Sequence, residues 1–376
     1  MKKSTLIAVY VLVALVVLGL IFLFRATQMK KIDEHLAGFE LENGLLKEPV
    51  TENGTSYLIP PNLIYDAGFD QESTPAIDAS AFVSVDEADT LLADEVFGIV
   101  VPAGDVARFY SYQILNWHEV VNETIGDEKL AVTHCTLCRS SVVYNRVVDG
   151  QELHFEVSGK VYNNNTLLRD RETGSLWLQA TGLAVSGELM GKQLTMKPAP
   201  VMTWGSFKEA FPSAEALSVE TGFERDYTRH PYTTYDTAET IYFPLTTTDN
   251  RLTYKWIVNG VEVNDEFLAF SERIMEGEPV QHDVVGGEPV VAFHDRKTGV
   301  TSIFSAKMTN GETLAFTFNE DGETITDASG STWTVFGLAI DGERAGERLT
   351  QLAAPDMFWF CWASLHPDTR VNQIDS

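Results

Sequence analysis

The sequence predicts a mainly β fold (a β-rich α+β architecture) in two duplicated lobes, following a single N-terminal transmembrane helix. Three observations carry that expectation. Short runs rich in Val, Phe and Tyr alternate with turn residues through most of the chain, which is the pattern of strands. An ordered set of residues in one half recurs in the other. One long apolar run stands at the start.

That run comes first. Lys2 and Lys3 precede apolar residues from Thr5 to Phe24, and Arg25 closes the run. About 20 apolar residues at ~1.5 Å rise cross a ~30 Å hydrocarbon core. Residues 25–31 offer no small-residue cleavage site of the kind that follows a secretory signal. Residues 1–31 are therefore expected to be an uncleaved membrane anchor. The expected orientation places the N-terminus inside and the bulk of the chain outside the cytoplasm, periplasmic or extracellular. Long domains translocate largely regardless of charge.

Residues 32–89 are polar with Gly, Pro and Asn clusters, and Tyr57-Leu58-Ile59-Pro60-Pro61 reads as an extended lead-in. Strands are expected over 94–101, 130–134, 141–148 and 153–158, with Asp149-Gly150 as a hairpin turn. A short helix is expected over 203–211, ended by Pro212.

The repeat spans 90–245 and 250–376. Ser175-Leu176-Trp177 leads through Gly182-Leu183-Ala184 and Gly187 to Gly191 and Leu194-Thr195. Ser331-Thr332-Trp333 leads through Gly337-Leu338-Ala339 and Gly342 to Gly346 and Leu349-Thr350. Upstream, Val132-Thr133-His134 matches Ala292-Phe293-His294. A duplicated unit accounts for so many identities in one order.

Composition excludes one large class of partner. The chain has 376 residues, 44% apolar content and a formal net charge of -27. That is enough apolar material for two ordinary domains. It is the wrong sign for nucleic acid, whose phosphates need a basic surface.

The chemistry-bearing feature is Ala131-Val132-Thr133-His134-Cys135-Thr136-Leu137-Cys138-Arg139-Ser140-Ser141. Two of the three cysteines sit in one tight turn. Such a pair is a redox couple, half a set of metal ligands, or a local staple. It lies between two strands, so it lacks the helix N-terminus that lowers the thiol pKa in thioredoxin-like pairs. A Cys-x-x-Cys turn between strands has the shape of a metal knuckle. Thiolate with imidazole suits copper or zinc, with Cys135, Cys138, His118 and His134 as the ligand set and His154 in support. Met190, Met196 and Met202 are further sulfur donors, though isolated methionines usually fill cores. The alternative is a Cys135–Cys138 disulfide with no chemistry, leaving Cys361 buried in Phe358-Trp359-Phe360-Cys361-Trp362. In the second half, Asp295 and Thr298 occupy the cysteine positions. The fold therefore does not require the thiols, which favours a function for them.

Asp170, Arg171 and Trp177 form a second polar and aromatic cluster, fit for a sugar and for carboxylate-assisted hydrolysis. Its alternative is a tight turn, with Asp170 taking backbone bonds and Trp177 buried. No Gly-rich phosphate loop, Ser nucleophile elbow or His-Glu-x-x-His pattern occurs.

Several of these stretches together resemble a known family. Trp117-His118-Glu119 through Gly126, the Cys135–Cys138 turn, Ser158-Gly159-Lys160-Val161-Tyr162-Asn163-Asn164 and Asp170-Arg171-Glu172-Thr173-Gly174-Ser175-Leu176-Trp177 are similar to the bacterial domain of unknown function 3179. The resemblance is close over 90–225 and looser beyond. Thr136 stands where the family usually has Pro, and Arg139 where it usually has a small residue. The resemblance favours His118 as a ligand and implies no known activity.

Three functions remain. The first is an envelope protein that binds a metal or acts in redox chemistry through the cysteines and histidines. The second is a non-catalytic binding or scaffolding module with a structural disulfide. The third is a glycan-acting enzyme. The sequence leaves open whether the chain is an enzyme at all.

Overall fold

Alternating short apolar runs and turns yield 41% strand and 10% helix, arranged as a propeller-like ring of small sheets. The structure is a computed structural model and describes residues 36, 38–103 and 106–373. The expected anchor at 1–31 lies outside the described residues, among which no helix is long and apolar enough to cross a membrane.

Strands β1 (Phe97–Ala103) and β2 (Val106–Ser111) form a hairpin that runs into helix α1 (Tyr112–His118). A meander of β3 (Val120–Ile125), β4 (Glu128–Cys135) and β5 (Ser140–Asn145) follows. Next come β6 (Phe155–Tyr162), β7 (Asn165–Asp170), β8 (Leu176–Leu178) and β9 (Ala184–Ser186). The chain then returns: β10 (Thr195–Lys197) pairs with β5, and β11 (Val201–Thr203) pairs with β1. Helix α2 (Trp204–Ala210) is capped by the Thr203 side chain, and β12 (Glu215–Leu217) lies parallel to β2.

After residues 218–256, which carry no helix or strand, the same order recurs. Strands β13 (Ile257–Val263) and β14 (Glu266–Ser271) lead to helix α3 (Glu272–Met275). The meander is β15 (Val280–Val285), β16 (Glu288–His294) and β17 (Thr301–Ser305). The next sheet is β18 (Phe316–Asn319), β19 (Thr324–Asp327), β20 (Thr332–Trp333) and β21 (Ala339–Asp341). Finally β22 (Asp356–Phe358) pairs with β13, helix α4 (Trp359–Leu365) follows, and β23 (Arg370–Val371) lies parallel to β14. Sheet order β11-β1-β2-β12 in the first half answers to β22-β13-β14-β23 in the second.

Small devices recur at matching places. The Trp177 indole N–H donates to Asp170 Oδ2 at 2.8 Å, and Trp333 donates to Asp327 Oδ2 at 3.0 Å. A register shift sits beside each Trp. Gly187 and Gly342 both hold positive φ, and a Cβ on either would come within 2.6 Å of a serine Cα, Ser175 or Ser331. Only glycine satisfies both demands at once. His134 pairs with Ser141 in register, as His294 pairs with Thr301.

The lead-in is more structured than its composition suggests. Val50–Glu52 and Thr55–Tyr57 extend the β9 edge, Tyr65–Asp66 pairs with β6, and Phe82–Ser84 pairs with β12. Most of its polar residues face solvent while its backbone covers sheet edges that would otherwise invite pairing with another chain. Met196 and Met202 fill separate cores.

One buried apolar cluster joins the halves. It contains Cys135, Cys138 and Leu178 from the first, Met357, Trp359 and Cys361 from the second, and Tyr235, Leu245 and Leu252 from the strand-free stretch 218–256.

Candidate functional site

Strand β4 ends at Cys135, and the turn to β5 closes with Arg139 in the left-handed region, φ +51°. This geometry aims the two cysteines differently. Cys138 forms a disulfide with Cys361 of α4, with Cα atoms 5.6 Å apart across 223 residues of sequence. The expected Cys135–Cys138 staple is thereby corrected, because the nearest sulfur in space belongs to the other half. Cys135 is a free, buried thiol.

The proposed copper or zinc set is not gathered either. The Cys138 sulfur is bound covalently. Both nitrogens of His118 are occupied: Nδ1 lies 2.7 Å from the carbonyl of Pro75 and Nε2 lies 2.7 Å from the Tyr227 hydroxyl. The carbonyl can only accept, so Nδ1 carries the proton and Nε2 accepts from Tyr227. Burial holds His118 neutral, with its pKa lowered to about 4. His134 bonds Ser141 Oγ at 3.0 Å and stacks on Tyr112, and burial lowers its pKa to about 3. His154 lies at the surface beside Glu172, at 2.8 Å. Among the described residues, no group of three or more His, Cys, Asp and Glu side chains is arranged to hold a metal ion.

The cluster expected to bind sugar is likewise engaged. Asp170 accepts from Trp177 and from the backbone N–H of Thr173. Arg171 is paired with Asp78 and Glu156 at 2.7 and 2.9 Å. Asp327 and Trp333 repeat the Asp170–Trp177 bond in the other half.

What surrounds Cys135 instead is a buried polar relay. Helix α1 ends in Glu119, whose φ of +57° turns its carboxylate inward. Thr166 of β7 donates its hydroxyl to Glu119 Oε2 at 2.9 Å and lies 3.3 Å from Cys135 Sγ. The Tyr232 hydroxyl donates to Glu119 Oε1 at 3.2 Å. The thiol faces the Asn164 carbonyl at 3.6 Å. Burial pushes the Glu119 carboxyl up to about 7, although its two hydrogen bonds oppose the shift. Burial first, and Glu119 second, push the Cys135 thiol up to about 11. At neutral pH the thiol is protonated and shut away from water, which disfavours nucleophilic attack.

Glu119, Thr166 and Tyr232 carry no local sequence signal of this role. Glu119 is adjacent to the singled-out His118, yet only the left-handed helix end brings it to Cys135.

The relay makes a prediction for pH. Unfolded, Glu119 loses its proton near its ordinary 4.5; folded, it keeps it up to about 7. Its contribution therefore favours folding at acid pH and is lost as pH rises from 4.5 through 7. Glu119→Gln stays neutral throughout. The stability of wild type relative to this variant should fall between pH 5 and pH 7.5 in urea unfolding, whatever the opposing buried histidines do in both proteins. A difference that stays flat with pH would refute a neutral, buried Glu119.

The family described as protein of unknown function (DUF3179) matches residues 71–369. The chain belongs to this family. No curated protein and no solved structure matches it. The DUF3179 match takes in the first half and the second as far as residue 369, so the disulfide-linked Cys138 and Cys361 fall within one family region.

Proposed function

We propose that this chain is a membrane-tethered, extracytoplasmic binding or scaffolding module of the cell envelope, built from two duplicated halves and clamped by one disulfide. The observation that carries the reading is the Cys138–Cys361 bond. Disulfides of this structural kind persist in oxidising compartments and are rare in the cytosol, which accords with an anchor at 1–31 and the bulk of the chain outside. The remaining thiol favours a quiet role, since it is buried and its pKa is raised. The duplication is supported by the matched sheet orders and by the recurring Trp–Asp bonds. Within it, the second copy keeps the fold with Asp295 and Thr298 in place of the cysteines.

Thiol counting tests the reading. Protein taken from its native membrane, denatured under alkylating conditions without reductant, should show one alkylated cysteine, Cys135, and a linked peptide pair containing Cys138 and Cys361. Protease added to intact spheroplasts should digest the acidic region. Three free thiols, or protection from the protease, would move the protein to a reducing compartment and end this reading.

A further inference from the structure

We propose that the cleft at one of the two seams between the halves binds a small apolar carboxylate. This deepens the binding-module reading and rests on it. The cleft has a volume of about 700 Å³, within the ordinary range for small-molecule sites. Its walls are largely apolar: Val100, Pro200 and Phe211 come from the first half, and Phe336 and Leu338 from the second. Arg348 and Gln351 supply nitrogen donors at its edge, beside the hydroxyls of Ser213 and Thr334. Neither Arg348 nor Gln351 has a side-chain hydrogen-bond or ion-pair partner among the described residues. Arg348 is exposed at the cleft's edge, so its guanidinium is open to a ligand. Its planar fork matches a carboxylate in two parallel bonds. Gln351 can add a third donor.

The duplication supplies an internal comparison. The bridge Leu338–Arg348 in the second half answers to Leu183–Gln193 in the first. Pro102 opposite Ala107 in the β1–β2 hairpin answers to Glu262 opposite Phe267 in β13–β14. Phe211, directly after α2, answers to His366, directly after α4. The other seam thus has the same frame, and its cleft is lined by Gln193, Glu262 and His366 and measures about 210 Å³. There the arginine is replaced by Gln193, whose amide donates to the Thr181 carbonyl at 2.6 Å. A carboxylate stands where the first seam has proline. From one ancestral frame, one seam has become larger, apolar and cationic at its edge, while the other has become smaller and acidic. Only the first offers charge complementarity to an anion.

The experiment uses the full chain in lipid nanodiscs, with empty nanodiscs as the blank, and calorimetric titration of hexanoate and phenylacetate. At least one should bind. The uncharged hexan-1-ol should bind about tenfold or more weakly, as should hexanoate to Arg348→Gln, because a charge-assisted pair is lost. Hexylammonium should not bind. Val106 lines the cleft and is 36% exposed, so Val106→Asp should fold like wild type and abolish carboxylate binding by repulsion. Binding by neither carboxylate, unchanged affinity in Arg348→Gln, or equal affinity for hexylammonium would overturn the proposal. Such a result with one free thiol still counted leaves the clamped-module reading standing. Three free thiols remove that reading whatever the titration shows.

Discussion

Breaking the Cys138–Cys361 bond should cost more stability than any other single change to the covalent structure. The bond closes 223 residues of sequence, and loop-closure entropy for that length corresponds to a ceiling of about 5 kcal/mol. It also joins the β4–β5 turn of the first half to α4 of the second, inside the cluster that unites the halves. Cys138→Ser and Cys361→Ser should each destabilise by roughly 2–5 kcal/mol. The double variant should add little, because the second change removes no further bond. Cys135→Ser should cost about 1 kcal/mol or less, since the Thr166 N–H can donate to the new oxygen and the new hydroxyl can donate to the Asn164 carbonyl that faces the thiol. Urea unfolding with and without reductant measures all four. The urea slope should rise on reduction, as the unfolded chain becomes more expanded. Wild-type unfolding indifferent to reductant, or a Cys135→Ser loss equal to that of Cys138→Ser, would contradict the clamp.

The second large effect is expected one residue away. Arg139 forms a buried ion pair with Asp356 of β22, and its guanidinium lies over Phe97 and Tyr112 at 4.9 and 5.6 Å. Glu272 is also within its electrostatic reach, with its carboxyl pushed up to about 7 by burial. Asp356→Ala strands a buried guanidinium, and Arg139→Met leaves two buried carboxyls without their cation. Either should cost about 3–5 kcal/mol. Arg139→Met combined with Asp356→Leu should recover most of the loss, because removing both charges removes the desolvation penalty as well. Urea denaturation of the two single variants and the double variant provides the cycle. Strictly additive losses would show that the two charges are not coupled.

These two effects sit where sequence reading is weakest. The expected strands correspond to β1, β4, β5 and β6, and the expected helix to α2 after Thr203. The Asp149-Gly150 turn adopts positive φ at both residues, as a two-residue hairpin requires. All of these are local: a strand period, a capping hydroxyl and a turn dipeptide act over two to four residues, so each is written where it operates. The Cys-x-x-Cys turn was visible for the same reason, and local spacing also suggested a wrong partner for Cys138. Its true partner lies in an aromatic run that reads only as core. Glu119, Thr166 and Tyr232 meet at Cys135 from a helix end, a strand and an irregular segment, and no spacing connects them. The mainly β character, the turns and the family are written in local residue patterns. Tertiary structure alone decided which sulfurs join, which carboxylate is buried against a thiol, and which arginine is left facing a cleft. Those outcomes depend on burial and distance between segments hundreds of residues apart, quantities that arise only when the two halves close on one another.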